Sequence, residues 1–324
     1  MTARLQWAEA NAALEGARKL LIVTHVSPDG DAIGSMLGLA AALRERDYKV
    51  TTAVDGGVPE FLQFLPAAAR VEHRLKRGHW DVMISVDASD EERSGICGAF
   101  GRARSQKVIN LDHHPTNTLF GDVHLVMPEA VSSTEVVYEW LVRLGHPISQ
   151  PVATALLTGL VTDTMGFRTS NVTAGTLGIV QKLMEAGASL TDVTARALVA
   201  KPYTSLELWK RVLPSVKLEQ RIISAVVTQA DLTTVGLIDV TDGGLVSLLA
   251  SVQEAVVAVV FKETPEKRVE ISLRCKPGYD VGTVAFGLGG GGHKQAAGAT
   301  IDGPLEAAIA RVMPLLQAAV AAPV

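Results

Sequence analysis

Three apolar runs, each closed by ionisable groups, constrain this chain more than any other feature. Residues 20–24 lead into His25, and Pro28 and Gly30 then turn the chain around Asp29 and Asp31. The run from Trp80 ends on Asp87, and the run from Lys107 ends on Asp112, His113 and His114. The first reads as a buried strand, because it is short and is punctuated by proline and glycine. Helical spacing follows it: Ile33, Met36, Leu37, Ala40 and Leu43 share one face over 32–46, with Asp31 just before the helix where a carboxylate suits its dipole. Further helices are expected at 3–18, 132–144, 149–162 and 173–186, a strand at 49–54, and a short helix or turn at 61–65. Strands that alternate with helices imply an α/β fold, a doubly wound and mainly parallel sheet. In such sheets ligands gather beyond the carboxyl ends of the strands. His25, Asp87, Asp112 and His113 all fall at that edge.

From Arg221 the texture changes. Strand-like segments at 222–228, 255–261 and 269–275, with helices at 244–252 and 305–320, describe a smaller α+β domain. The expected division is 1–187 for the first domain, a helical connector at 188–217 interrupted by Pro202 and Pro214, and 218–324 for the second. At 324 residues each domain can bury its own core. With aromatics at only 5%, those cores must be aliphatic. A net charge of -4 argues against coating long nucleic acid through a broad basic surface, and leaves room for a small anion at a local site. Cys97 and Cys275, far apart and alone, suit a reducing compartment, with Cys97 expected to pack in a core. No signal-peptide h-region and no apolar run of about 18 residues is evident, so the expected location is the cytoplasm.

Six residues can serve as metal ligands: His25, Asp29, Asp31, Asp87, His113 and Asp163. Two imidazoles and four carboxylates are too many for one tetrahedral zinc. They suit two divalent cations that share a carboxylate, an arrangement used in phosphoryl transfer to neutralise phosphate charge and acidify water. Oxygen and imidazole donors without thiolate favour Mn²⁺, with Mg²⁺, Co²⁺ or Fe²⁺ as alternatives. Asp112 is expected to orient His113 from outside the ligand set. His73, His79, His124 and His146 stand in polar, loop-like contexts and are given no role.

The motifs His25-x-x-Pro28-Asp29-Gly-Asp31, Asp87-Ala-Ser, Asp112-His113-His114 and Thr162-Asp163-Thr164 resemble, in order, those of the DHH phosphoesterase family. The stretch 289–298, with four glycines before His293, resembles the signature of the DHH-associated C-terminal domain. The resemblance spans nearly the whole chain and lies nearest the branch that degrades very short RNA and dephosphorylates pAp. It implies that His25, Asp29 and Asp87 hold one metal, and that Asp31, Asp87, His113 and Asp163 hold the other. It implies that His114 contacts the scissile phosphate, so Asp87, His113 and His114 carry catalysis. Arg274, Gly290, Gly291, Gly292 and His293 would grip the substrate from the second domain, with Arg168 reaching into a cleft between the two, and a homodimer is implied. Glycine backbone can approach an anion closely and aim N–H groups at it. Two positions depart from the family pattern: Met165 stands where glycine is usual, and Cys275 where serine is usual.

Other readings have specific obstacles. Enzymes devoted to cyclic di-AMP usually carry membrane and sensory segments, although linear pApA remains a dinucleotide substrate. An exonuclease on long strands wants a basic, aromatic track, which this chain lacks. An inorganic pyrophosphatase shares the metal motifs but not the glycine-rich domain. A nucleotide sensor would be expected to have lost a ligand, and all six are present.

Overall fold

The structure is a computed structural model that describes residues 5–322, so the first two positions of the helix expected at 3–18 lie outside it. The chain divides into two units, Met1–Ala200 and Lys201–Val324. In the first, strands β1 (Lys19–Val23), β2 (Lys49–Ala53), β3 (Trp80–Val86), β4 (Ser105–Asp112) and β5 (Val123–Val126) form an all-parallel sheet in the order β2-β1-β3-β4-β5. Successive strand residues point to opposite faces. Leu20, Ile22, Val82, Ile84, Val86, Ile109 and Leu111 enter the main core, while Leu21, Val23, Met83 and Val108 enter a smaller one on the other face. Burial on both faces is why these strands read as unbroken apolar runs.

The main core is closed by α1 (Trp7–Glu15) and α2 (Gly30–Glu45), and the small one by α3 (Gly95–Arg102), where Cys97 is buried. Helices α4 (Ser133–Arg143), α5 (Gln150–Asp163), α6 (Ala174–Glu185) and α7 (Leu190–Thr194) complete the main face. The chain runs from β1 outward to β2, then returns to lay β3 on the other side of β1. The switch point between β1 and β3 is where a doubly wound sheet opens a crevice.

Helices α2 and α5 approach unusually closely. Gly30, Gly34 and Gly38 form a stripe at i, i+4 and i+8 on α2. A Cβ on Gly34 would lie 2.5 Å from the Ala155 carbonyl oxygen, and one on Gly38 2.8 Å from Leu156. From α5, a Cβ on Gly159 would lie 2.6 Å from Asp31 Oδ1. Side chains at these points would push the two helices, and the carboxylates they carry, apart.

In the second unit, α8 (Tyr203–Val212), β6 (Lys217–Glu219), β7 (Ile222–Val227), α9 (Gln229–Thr234), α10 (Leu245–Leu249), β8 (Val257–Glu263), β9 (Arg268–Cys275), α11 (Gly282–Gly287), β10 (Gly291–His293), β11 (Ala296–Asp302) and α12 (Leu305–Ala321) follow in turn. The sheet runs β10-β11-β9-β8-β7-β6, parallel only between β7 and β8. The segment expected as a connector is shared out: Val193 packs into the first core, and Leu208 and Val212 into the second unit. Among the described residues no helix is long and apolar enough to cross a membrane.

Gly34→Ala should destabilise the protein by about 1–3 kcal/mol, since the backbone of α5 cannot yield to the added methyl. Gly178→Ala, in α6 with nothing within 4 Å of the added carbon, should instead stabilise by about 0.5–1 kcal/mol. Urea denaturation of both variants checks the contrast, and similar shifts would disprove close helix packing as its cause.

Candidate metal centre

Asp29 is the N-cap of α2, correcting the expectation that Asp31 sits before the helix. Asp29 Oδ1 accepts the backbone N–H groups of Asp31 and Ala32, both at 3.0 Å. Asp31 lies in the first turn and reaches across to the start of α4. Its Oδ2 accepts the Ser133 N–H at 2.6 Å and its Oδ1 the Thr134 N–H at 2.9 Å. A helix N-terminus thus holds the buried carboxylate by hydrogen bonds and by its dipole.

Asp87 follows β3 with φ +56°, a left-handed conformation uncommon for residues with a side chain. Its Oδ1 accepts the Ser133 hydroxyl at 2.9 Å, and its Oδ2 lies 3.5 Å from His25 Nε2. His25 Nδ1 donates to the Val26 carbonyl at 2.8 Å, and His113 Nδ1 to the Ala130 carbonyl at 3.3 Å. Each bond fixes the tautomer and leaves Nε2 as the ligand atom. His113 Nε2 lies 3.8 Å from Asp31 and Asp87 and 3.6 Å from Asp163, the last residue of α5. Ligand atoms of His25, Asp29 and Asp87 lie within 4.8 Å of one another, as do those of Asp31, Asp87 and His113. Asp87 belongs to both groups.

Asp31, Asp87 and Asp112 are at most 2% exposed. Burial, and then the neighbouring Asp31 charge, drive the Asp87 carboxyl well above its ordinary value. Burial also raises Asp31, against the pull of His113 and the α4 N–H groups. Asp29 is exposed as a residue. Desolvation around its carboxyl acts to raise it, but the His25 charge and the capping N–H groups outweigh that and hold it low. Buried carboxylates that repel one another and face imidazole Nε2 atoms fit a divalent cation.

Asp112 orients His114, which corrects the expectation that it orients His113. His114 Nδ1 donates to Asp112 Oδ1 at 2.8 Å, and Asn117 Nδ2 donates to Asp112 Oδ2 at 2.6 Å. Burial acts to lower the His114 imidazole, and the Asp112 partnership outweighs it, so the ring is held above its ordinary value. Ser133 and Asn117 are invisible as site residues in the sequence. The one hint for Ser133 is Ser132-Ser-Thr-Glu135 ahead of an apolar helix, where Ser132 caps the Glu135 N–H at 3.2 Å.

Met165 has φ +50°, which explains the glycine usual there: the turn after Asp163 is left-handed, and Met165 adopts it at a steric cost. Arg168 is exposed, and its Nε donates to the Met165 carbonyl at 2.7 Å. His124 belongs to β5 and so does not stand in a loop, whereas His146 lies in the loop between α4 and α5, buried with Nε2 3.0 Å from Glu45. Burial raises the Cys97 thiol to about 12.

In the second unit two of the four glycines belong to a strand. Gly291 and Gly292 belong to the edge strand β10, and a Cβ on Gly290 would lie 2.1 Å from the Gly298 carbonyl. His293 pairs with Ala296, and Ala296 with Arg274, so Arg274 and His293 share one face of the sheet. Cys275 Sγ donates to the Tyr279 and Lys294 carbonyls, both at 3.2 Å, which gives the departure from serine a local structural role.

Fold and site together define a doubly wound α/β protein with carboxylate–imidazole groups at its switch point that could hold a metal ion. Residues 19–160 match the DHH family, N-terminal domain, and residues 239–321 match the DHHA1 domain. A Thermus thermophilus protein named bifunctional oligoribonuclease and PAP phosphatase NrnA is 33% identical over 308 residues, covering 94% of this chain and 91% of its own. A Bacillus subtilis protein of the same name is 28% identical, covering 87% of this chain and 89% of its own. An exopolyphosphatase-related protein from Bacteroides fragilis matches with TM-score 0.87 and 25% identity over 99% of this chain and 100% of its own. RecJ of Thermus thermophilus in complex with Mn²⁺ shares the fold at TM-score 0.54 and 15% identity, over 100% of this chain and 56% of its own. The chain belongs to the DHH family.

Ser133→Ala should weaken divalent-metal affinity about 10–100-fold by freeing Asp87 from its hydroxyl donor. A Mn²⁺ titration checks this, and unchanged affinity would remove Ser133 from the centre. The pH dependence has a definite sign. Raised carboxyls favour their protonated forms in the metal-free fold, so their stabilising effect holds below the unfolded value and is lost as pH rises through the raised one. Bound cations require the ionised forms. The gain in melting temperature on adding Mn²⁺ should therefore grow from about pH 5 to about pH 8. A gain that shrinks over that range would contradict this assignment.

Proposed function

We propose that this protein is a metal-dependent phosphoesterase that hydrolyses very short RNA to nucleoside monophosphates and removes the 3′-phosphate from pAp, acting in the cytoplasm as a homodimer. The observation that carries the reading is Asp87, which joins the His25–Asp29 group to the Asp31–His113 group. His25, Asp29 and Asp87 would hold one cation, and Asp31, Asp87, His113 and Asp163 the other, with Mn²⁺ favoured by the donor set. The relatives named for oligoribonuclease and PAP phosphatase activity support the substrate class.

When bound, the cations neutralise phosphate charge and acidify the attacking water. The residues of this chain do the rest. His114, with Nδ1 committed to Asp112 and its proton affinity raised, delivers a proton from Nε2 to the leaving oxygen. Ser133 and the α4 N-terminus keep Asp87 and Asp31 from moving as charge shifts. Arg274 and His293, with the backbone of Gly290, Gly291 and Gly292, bind the nucleotide or its terminal phosphate, and Arg168 contributes a further contact.

Di- to pentaribonucleotides and pAp should be turned over with Mn²⁺, releasing mononucleotides and inorganic phosphate respectively. Asp87→Asn should slow both reactions at least about 100-fold. Full activity in that variant, or no turnover of any of these substrates by the wild type, would refute the proposal.

A further inference from the structure

The loop after Asp87 carries an arginine that the metal centre does not account for. Arg93 is fixed through its backbone: its carbonyl accepts the Val26 N–H at 2.8 Å, one residue beyond His25, and its N–H donates to Asp90 Oδ1 at 2.9 Å. The loop is pinned on either side. Ser94 Oγ lies 3.0 Å from Ser85 Oγ in the buried end of β3. Gly95, at φ +64°, lets the chain pass so close to Asp55 and Val26 that a Cβ would lie 2.4 and 2.6 Å from them. Asp55 then accepts the Ile96 and Cys97 N–H groups at 2.6 and 2.9 Å.

The Arg93 side chain is half-buried. Its charge lies close enough to act electrostatically on His114. Five aspartates crowd this edge of the sheet, yet none lies within ion-pair distance of the Arg93 guanidinium. Among the described residues that guanidinium has no hydrogen-bond acceptor. A neighbour in sequence behaves differently: Arg102 pairs with Glu91 and Asp122, both at 3.4 Å. A guanidinium held on a rigid backbone, partly desolvated and unpaired, is prepared for an anion that comes and goes.

We propose that Arg93 grips the phosphate at the metal centre, donating charge-assisted hydrogen bonds to its non-bridging oxygens beside His114. This rests on the phosphoesterase reading, and it adds a positive contact from the β3–α3 loop. Guanidinium is suited to the task by its planar fork, which matches two phosphate oxygens at once. Lysine at the same position would supply charge without the fork.

Binding of inorganic phosphate to the Mn²⁺-loaded full-length protein, measured by calorimetry, tests the proposal independently of nucleotide preference. Arg93→Met should weaken phosphate binding about tenfold or more, and Arg93→Lys should fall between that variant and the wild type. Mn²⁺ affinity and melting temperature should stay unchanged in both. Phosphate binding by Arg93→Met as tight as by the wild type would overturn the assignment. So would a parallel loss of Mn²⁺, which would mark Arg93 as a support for the metal site. Should the wild type bind phosphate but cleave no short RNA, the substrate reading would fall while Arg93 kept its role.

Discussion

Asp31 and Asp87 are buried side by side against their own repulsion, and the first unit is built around making that tolerable. Isolated buried carboxylates are among the most costly groups a fold can hold. Here the cost is offset locally: the N-terminal N–H groups of α4 take Asp31, and the Ser133 hydroxyl takes Asp87. Three imidazoles close the remaining sides. The arrangement stays strained in charge, as the raised Asp87 carboxyl shows, and that residual demand suits a cation.

The same demand explains the glycine stripe on α2. Carboxylates from α2 and the end of α5 can meet over one imidazole only if the helices approach more closely than side chains normally permit. Gly34 and Gly38 open the gap from one side, and Gly159 opens it from the other beside Asp31 itself. Packing and chemistry here are one constraint: a methyl group added at Gly159 would collide with a metal-centre oxygen as directly as with a neighbouring helix.

The parallel sheet was legible in the sequence, because strands buried on both faces leave apolar runs, and five of the ligand candidates fall together in the groups at its edge, His25, Asp29, Asp31, Asp87 and His113. What escaped was held by geometry without pattern. Ser133 looks like a helix-start residue, and its hydroxyl reaches Asp87 only through the fold. Whether Asp112 serves His113 or His114 depends on side-chain direction at the end of β4, which spacing cannot supply. Helix α3 was hidden by its three glycines and β10 by its composition, since glycine weakens the periodic signal of either element. The unit boundary was blurred because α7 and α8 read alike in sequence but bury their apolar residues in different cores.

The sheet of the second unit ends in three-residue strands on both sides, β6 and β10. An exposed edge of unpaired N–H and C=O groups is a template for another chain's strand, and its hazard grows with length. A β6 carrying Lys217 and Glu219, and a β10 twisted by Gly292 at φ +130°, give an incoming strand little to grasp. The glycines that let backbone lie close to its neighbour in this sheet therefore also help keep neighbouring molecules from joining it, guarding solubility with residues whose evident task is elsewhere.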